Sequence, residues 1–152
     1  MFNTAVFGEA HKIRQVFGEG RLERIRQATR LYGEPVTAEN LAEHLPHLHD
    51  LQVVFGTWGF PVLGKDVLNR LPELRAVFYA AGSVQRFAPP LLERGIVVTS
   101  AARANGSIVA QFTLAQIILG AKGYFRNVRD YHGGRGDRAG SFAGPGLFET
   151  TV

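Results

Sequence analysis

The feature that most constrains this chain is a rhythm. Short β-branched or aromatic runs recur along it, with helical patterns between them. Leu51–Gly56 (LQVVFG), Leu74–Ala80 (LRAVFYA) and Ile96–Ser100 (IVVTS) are the clearest runs, and Thr4–Gly8 (TAVFG) precedes them. Strand–helix units of about 20–25 residues suit right-handed βαβ crossovers, so the spacing predicts a parallel sheet. The runs LQVVFG and LRAVFYA are apolar at successive positions, as expected of strands covered by helices on both faces.

Helices fill the intervals. Leu22, Ile25 and Ala28 fall at helical spacing within Arg21–Thr29, and Val67, Leu68 and Leu71 do so within Lys65–Leu71. Thr37 precedes Ala38–Ala42 as an N-cap, Pro89–Arg94 ends at Gly95, and Arg30–Tyr32 reads as a short strand. The stretch from Glu9 to Phe17 is ambiguous. The longest helical pattern is Asn105–Asp130, where Ile108, Val109, Phe112, Ala115, Ile118, Leu119 and Phe125 recur over about five turns. Asn105 or Ser107 is the expected cap. Beyond it, 132–146 is glycine-rich and aperiodic, and Leu147–Val152 turns apolar and β-branched again, as a new strand would.

Composition narrows the function classes. With 45% hydrophobic and 20% charged residues, the chain has the balance of a globular protein. The absence of cysteine excludes disulfides, thiolate metal sites and a cysteine nucleophile, and favours the cytoplasm. The net charge of +4 is spread out, Arg14, Arg21, Arg24, Arg26 and Arg30 alternating with Glu19, Glu23 and Glu34. That distribution predicts a solvated basic surface and no nucleic-acid groove. The first residues lack the basic and apolar regions of a signal peptide. Ile108–Gly120 is interrupted by Gln111, Thr113 and Gln116, so no membrane span is expected. His44, His47 and His49 lie around Pro46, where a solvated turn is the expectation, and no metal site is expected.

In an open parallel sheet, ligands bind beyond the carboxyl ends of the strands. Three segments there stand out. Phe55–Pro61 carries Trp58 between two glycines, and its ring is either a cleft wall or a packing residue. Ala80-Ala81-Gly82-Ser83-Val84 has side chains small enough for a ligand to approach consecutive backbone N–H groups, although a plain strand-to-helix turn has the same composition. Ser100–Gln111 joins the last run to the long helix and contains Asn105 and Val109.

In this order, the three segments resemble the N-terminal substrate domain of the D-isomer-specific 2-hydroxyacid dehydrogenases. The loop Thr57-Trp58-Gly59, the Ala-Gly loop Ala80–Val84 and the helix start Asn105–Gln111 carry the resemblance, which covers about residues 50–130. Gln111 departs from it, standing where the family has glutamate. The family implies a flavodoxin-like α/β domain, strand order 2-1-3-4-5, with a long C-terminal helix and arm. It also implies that a small 2-hydroxy or 2-keto acid is held by Trp58, Ala81, Gly82, Ser83, Val84 and Asn105, with Asn105 and Val109 near an NAD or NADP nicotinamide. The expected division is a substrate domain over 1–104, an interdomain helix over 105–131, and an arm over 132–152 leading to a missing Rossmann domain. Gly134–Ala139 matches G-x-G-x-x-A in spelling but follows a helix, so it is not expected to bind a dinucleotide. The family's catalytic arginine, glutamate and histidine have no counterparts here. The chain alone is therefore expected to be inactive and without bound cofactor. The alternative is a non-catalytic binding module, with a possible homodimer through the 107–129 helix.

Overall fold

The computed structural model describes residues 1–134 and 142–147. The chain divides into two compact units, Met1–Arg103 and Ala104–Val152.

The first unit is a five-stranded parallel sheet with helices on both faces. Its elements are β1 (Asn3–Phe7), α1 (Ala10–Phe17), α2 (Arg21–Ala28), β2 (Arg30–Leu31), α3 (Leu41–His44), β3 (Val53–Gly56), α4 (Lys65–Asn69), β4 (Ala76–Tyr79), α5 (Ala88–Glu93) and β5 (Val97–Ser100). The strand order is 2-1-3-4-5, as the resemblance implies. One register row runs Ala5, Val54, Val77 and Val98; the next but one runs Phe7, Gly56, Tyr79 and Ser100. These rows share a face because side chains alternate along a strand. That face packs against Leu41, Leu68 and Leu91 of α3, α4 and α5. Each fully buried leucine there contributes about 1.5–3 kcal/mol.

The opposite face is covered unevenly. Val6 and Phe55 pack with Ile13 and Phe17 of α1 and Leu22 and Ile25 of α2. Farther across the sheet, Phe78 is 44% exposed and Val97 57%. The expectation that each apolar strand is covered on both sides therefore holds for β3 and fails for β4.

Several boundaries move. The ambiguous stretch before Phe17 is α1, whose inward residues Ile13 and Phe17 lie one turn apart. Thr37 makes turn contacts, its Oγ1 accepting from Glu39 N and Asn40 N while Asn40 Oδ1 accepts from Thr37 N at 2.7 Å. The regular helix starts only at Leu41. His44 is also corrected: its ring is largely buried, sharing a 2.9 Å hydrogen bond with the Tyr32 hydroxyl and lying 3.8 Å from Glu34.

In the second unit the single helix expected over 105–130 is two helices. They are α6 (Ala102–Ala121) and α7 (Tyr124–His132), separated at Gly123, whose φ of 75° is left-handed. A Cβ there would stand 2.4 Å from the Phe142 ring. Asn127 holds Phe142 through both backbone groups, Nδ2 donating to its carbonyl and Oδ1 accepting from its N–H, each at 2.8 Å. The homodimer surface expected over 107–129 thus spans both helices. No residue of α6 is buried, and Phe112 is 66% exposed. By length and composition alone α6 is long and apolar enough to cross a membrane, a test that core helices of soluble proteins also pass. The spelled G-x-G-x-x-A beyond Gly134 and the strand expected after Leu147 lie outside the described residues.

Candidate functional site

The carboxyl ends of β1, β3 and β4 lie side by side, and the loops leaving them are stitched together. Thr57 N donates to Phe7 O at 3.0 Å, Glu9 N to Trp58 O at 2.9 Å, and Ala80 N to Gly56 O at 2.8 Å. Gly59 completes the β3 loop with φ of 79°, and a Cβ there would sit 2.3 Å from Glu9 Cγ. Only glycine accepts both demands. Trp58 consequently stands outward, 40% exposed, with Lys12 Nζ 5.7 Å from its ring centroid.

Behind Trp58, Phe60 turns inward as a wedge. Its ring lies 4.4 Å from Phe87 and 6.2 Å from Tyr79, centroid to centroid, the latter edge-on. Arg86 Nη2 donates to Phe60 O at 3.0 Å. One guanidinium bond and one ring pair therefore fasten the β3 loop to the β4 loop. Burial pushes the Tyr79 phenol above its ordinary pKa, and the Arg86 charge opposes that shift.

The β4 loop presents backbone rather than side chains. Ala81 is buried, Gly82 and Val84 are half-buried, and Ser83 is exposed. Ser83 Oγ donates to Gln85 Oε1. Val84 O accepts from Phe87 N at 3.1 Å and Ala88 N at 2.9 Å, closing the turn into α5. The N–H groups of Ala81, Gly82, Ser83 and Val84 have no hydrogen-bond acceptor among the described residues. Consecutive free amides of this kind favour an anion.

Trp58 and Ala81–Val84 are thus brought together on adjacent strand ends of the first unit. Asn105 and Val109 belong to the second, in the first turns of α6. Neither Asn105 nor Ser107 caps that helix, which begins at Ala102 with Ala102 N donating to Ser100 Oγ at 3.3 Å. Ser107 Oγ instead donates back to Ala104 O at 2.8 Å. Among the described residues, no group of three or more His, Asp or Glu side chains could hold a metal ion.

Sequence reasoning missed three residues here. Phe60 and Arg86 act by joining loops far apart in sequence, and Thr57 reads as an ordinary strand-end threonine. The Thr57 hydroxyl is fully buried with no hydrogen-bond partner among the described residues.

Comparison with solved structures agrees with the fold. A phosphoglycerate oxidoreductase from Rhizobium etli superposes with a TM-score of 0.62 at 18% identity, covering 93% of this chain and 43% of its own. D-Lactate dehydrogenase from Aquifex aeolicus, complexed with NAD and lactic acid, gives 0.60 at 15% identity, covering 93% and 40%. The NAD-dependent formate dehydrogenase from Staphylococcus aureus, in complex with NAD, gives 0.59 at 18%, covering 90% and 42%. Neither a family sequence model nor a curated protein sequence matches. The chain therefore has the fold of one part of these dehydrogenases, and it spans about two fifths of their length.

Proposed function

We propose that this chain is the substrate-binding domain of an NAD(P)-dependent oxidoreductase of the D-2-hydroxyacid dehydrogenase family. The observation that carries the reading is the run of four amides, Ala81 to Val84, without acceptors among the described residues, at the carboxyl end of β4 next to the β3 loop that carries Trp58. A 2-hydroxy or 2-keto acid placed there directs its carboxylate at these N–H groups and lies along the indole. Charged acceptors strengthen such bonds about twofold over neutral ones. The nicotinamide cofactor supplies hydride transfer when bound. From this chain the family resemblance brings Asn105 and Val109 toward it, and among the described residues no strand passes through a G-x-G-x-x-G turn into a helix. The chain's own part is to capture and orient the acid, so the isolated chain has no dehydrogenase activity.

The test uses the single tryptophan of the chain. Titration with D-lactate, D-glycerate and glyoxylate is expected to change Trp58 emission saturably. Ser83→Pro, which removes one amide donor, is expected to weaken binding. Emission unaffected by all three acids refutes the reading, and NADH oxidation by the purified chain with glyoxylate refutes the inactivity. A second reading, a non-catalytic module that dimerises, would rest on the exposed apolar residues Ile108, Phe112 and Ile118 of α6. Light scattering on a size-exclusion column distinguishes it: a monomer at every concentration removes the homodimer from either reading.

A further inference from the structure

Lys12 belongs to no part of the carboxylate site described above, yet its ammonium is held at the edge of that site. It sits in the first turn of α1, immediately after β1, and its Nζ lies 5.7 Å from the Trp58 ring centroid. The contact is not explained by a neighbouring acid. Among the described residues the one hydrogen bond of Nζ is a long one, 3.4 Å, to the neutral Gln15 Oε1. Glu9, the acid closest in sequence, is 3.5 Å from His11 Nδ1, and its stem packs toward Gly59. Lys12 is partly buried and has no anionic partner among the described residues; its ammonium, resting against an exposed aromatic ring, is poised to accept one.

The sheet fixes where that anion would lie. β1, β3 and β4 are consecutive neighbours. Strands stand about 4.8 Å apart, so the ends of β1 and β4 are separated by roughly 10 Å, with Trp58 of the β3 loop between them. An acid whose first carboxylate occupies the Ala81–Val84 amides and whose chain crosses the indole carries its far end toward Lys12. A monocarboxylic acid such as lactate has nothing to offer there.

Resting on the substrate-domain reading, we propose that Lys12 is a specificity-determining residue for 2-hydroxy acids bearing a second anionic group, carboxylate or phosphate, with the ligand lying across Trp58 from the amides of Ala81–Val84 to the Lys12 ammonium. Carboxylate and phosphate present the same charge-assisted acceptor to Lys12, and the choice between them is an arm of the experiment.

The experiment titrates the chain by calorimetry, with Trp58 emission as a second signal, at fixed ionic strength. D-Lactate and D-glycerate are compared with D-malate, D-2-hydroxyglutarate and 3-phospho-D-glycerate. At least one dianionic acid is expected to bind roughly five- to tenfold tighter than the monoanions, the scale of one partly exposed charge-assisted contact. Lys12→Met is expected to erase that preference while leaving D-lactate affinity unchanged, and Lys12→Arg to restore most of it. Circular dichroism verifies that both variants fold, and calorimetry is independent of any change the substitution makes to indole emission. Equal affinities for the two classes in the parent chain overturn the inference and leave the substrate reading standing. So does a preference that survives in Lys12→Met. Failure of every acid to bind overturns the substrate reading and this inference with it.

Discussion

Replacing Thr57 with valine exchanges a buried hydroxyl for a methyl group at nearly constant shape. Thr57 is wholly inaccessible, its Oγ1 has no partner among the described residues, and its Cγ2 packs toward Gly8. An unsatisfied buried hydroxyl costs about 1–3 kcal/mol. Both residues are β-branched, so the side-chain entropy lost on folding is similar and does not offset the gain. Thr57→Val is expected to stabilise the chain by about 1–3 kcal/mol, a rise in Tm of about 4–12 °C at roughly 4 °C per kcal/mol. Urea denaturation followed by circular dichroism measures the change, with Thr57→Ser as the control that keeps the hydroxyl and removes the methyl. A valine variant less stable than the parent by 1 kcal/mol or more refutes the reasoning, because it would mean that the hydroxyl is satisfied in solution. An unchanged m-value is part of the expectation, since the substitution should not alter the surface exposed on unfolding.

Gly59→Ala forces a Cβ onto Glu9 in a left-handed conformation, so a loss of about 1–3 kcal/mol is expected by thermal denaturation, with a shift in Trp58 emission. The Tyr79 phenol, whose pKa burial raises, stays protonated in the native state while the unfolded chain ionises near pH 10. Its contribution is therefore complete below about pH 10 and is lost as pH rises through the native value. Between pH 9 and 12, Tyr79→Phe is expected to show a shallower loss of stability than the parent; parallel curves refute this. Asn127→Ala removes both 2.8 Å bonds to Phe142, and amide exchange at Phe142 is expected to accelerate about five- to tenfold.

The sheet was legible because its strands are written in Val, Phe and Tyr, residues that fit a pleated, half-buried surface. VVFG and AVFY lie inside the runs read from sequence, shortened by one or two residues at their ends. The break at Gly123 was not legible. Leu119 and Phe125 continue the apolar spacing across it, and periodicity carries no information about the sign of a φ angle. The cap of α6 misled for a different reason. Asn105 and Ser107 are good capping residues, but Ala102 and Ala104 are better helix formers, and Ser100 is already placed to receive the first free N–H. In the candidate site, Gly82 and Ser83 were visible as small residues after a strand. Arg86 and Phe60 were not, since their roles exist only once two loops meet. Phe78 misled in the other direction, its apolar character implying a cover that the first unit does not provide.

The pairing of Phe60 with Phe87 and Arg86 has a kinetic consequence. The indole wall and the amide nest are cut from segments more than twenty residues apart, yet they are joined by a ring contact and a hydrogen bond that do not depend on ligand. Such a receptor is preorganised: little conformational freedom remains to be surrendered on association. Under the proposed function, encounter with an acid would approach rigid docking, and differences in affinity among acids would reside in how long each stays, not in how fast it arrives.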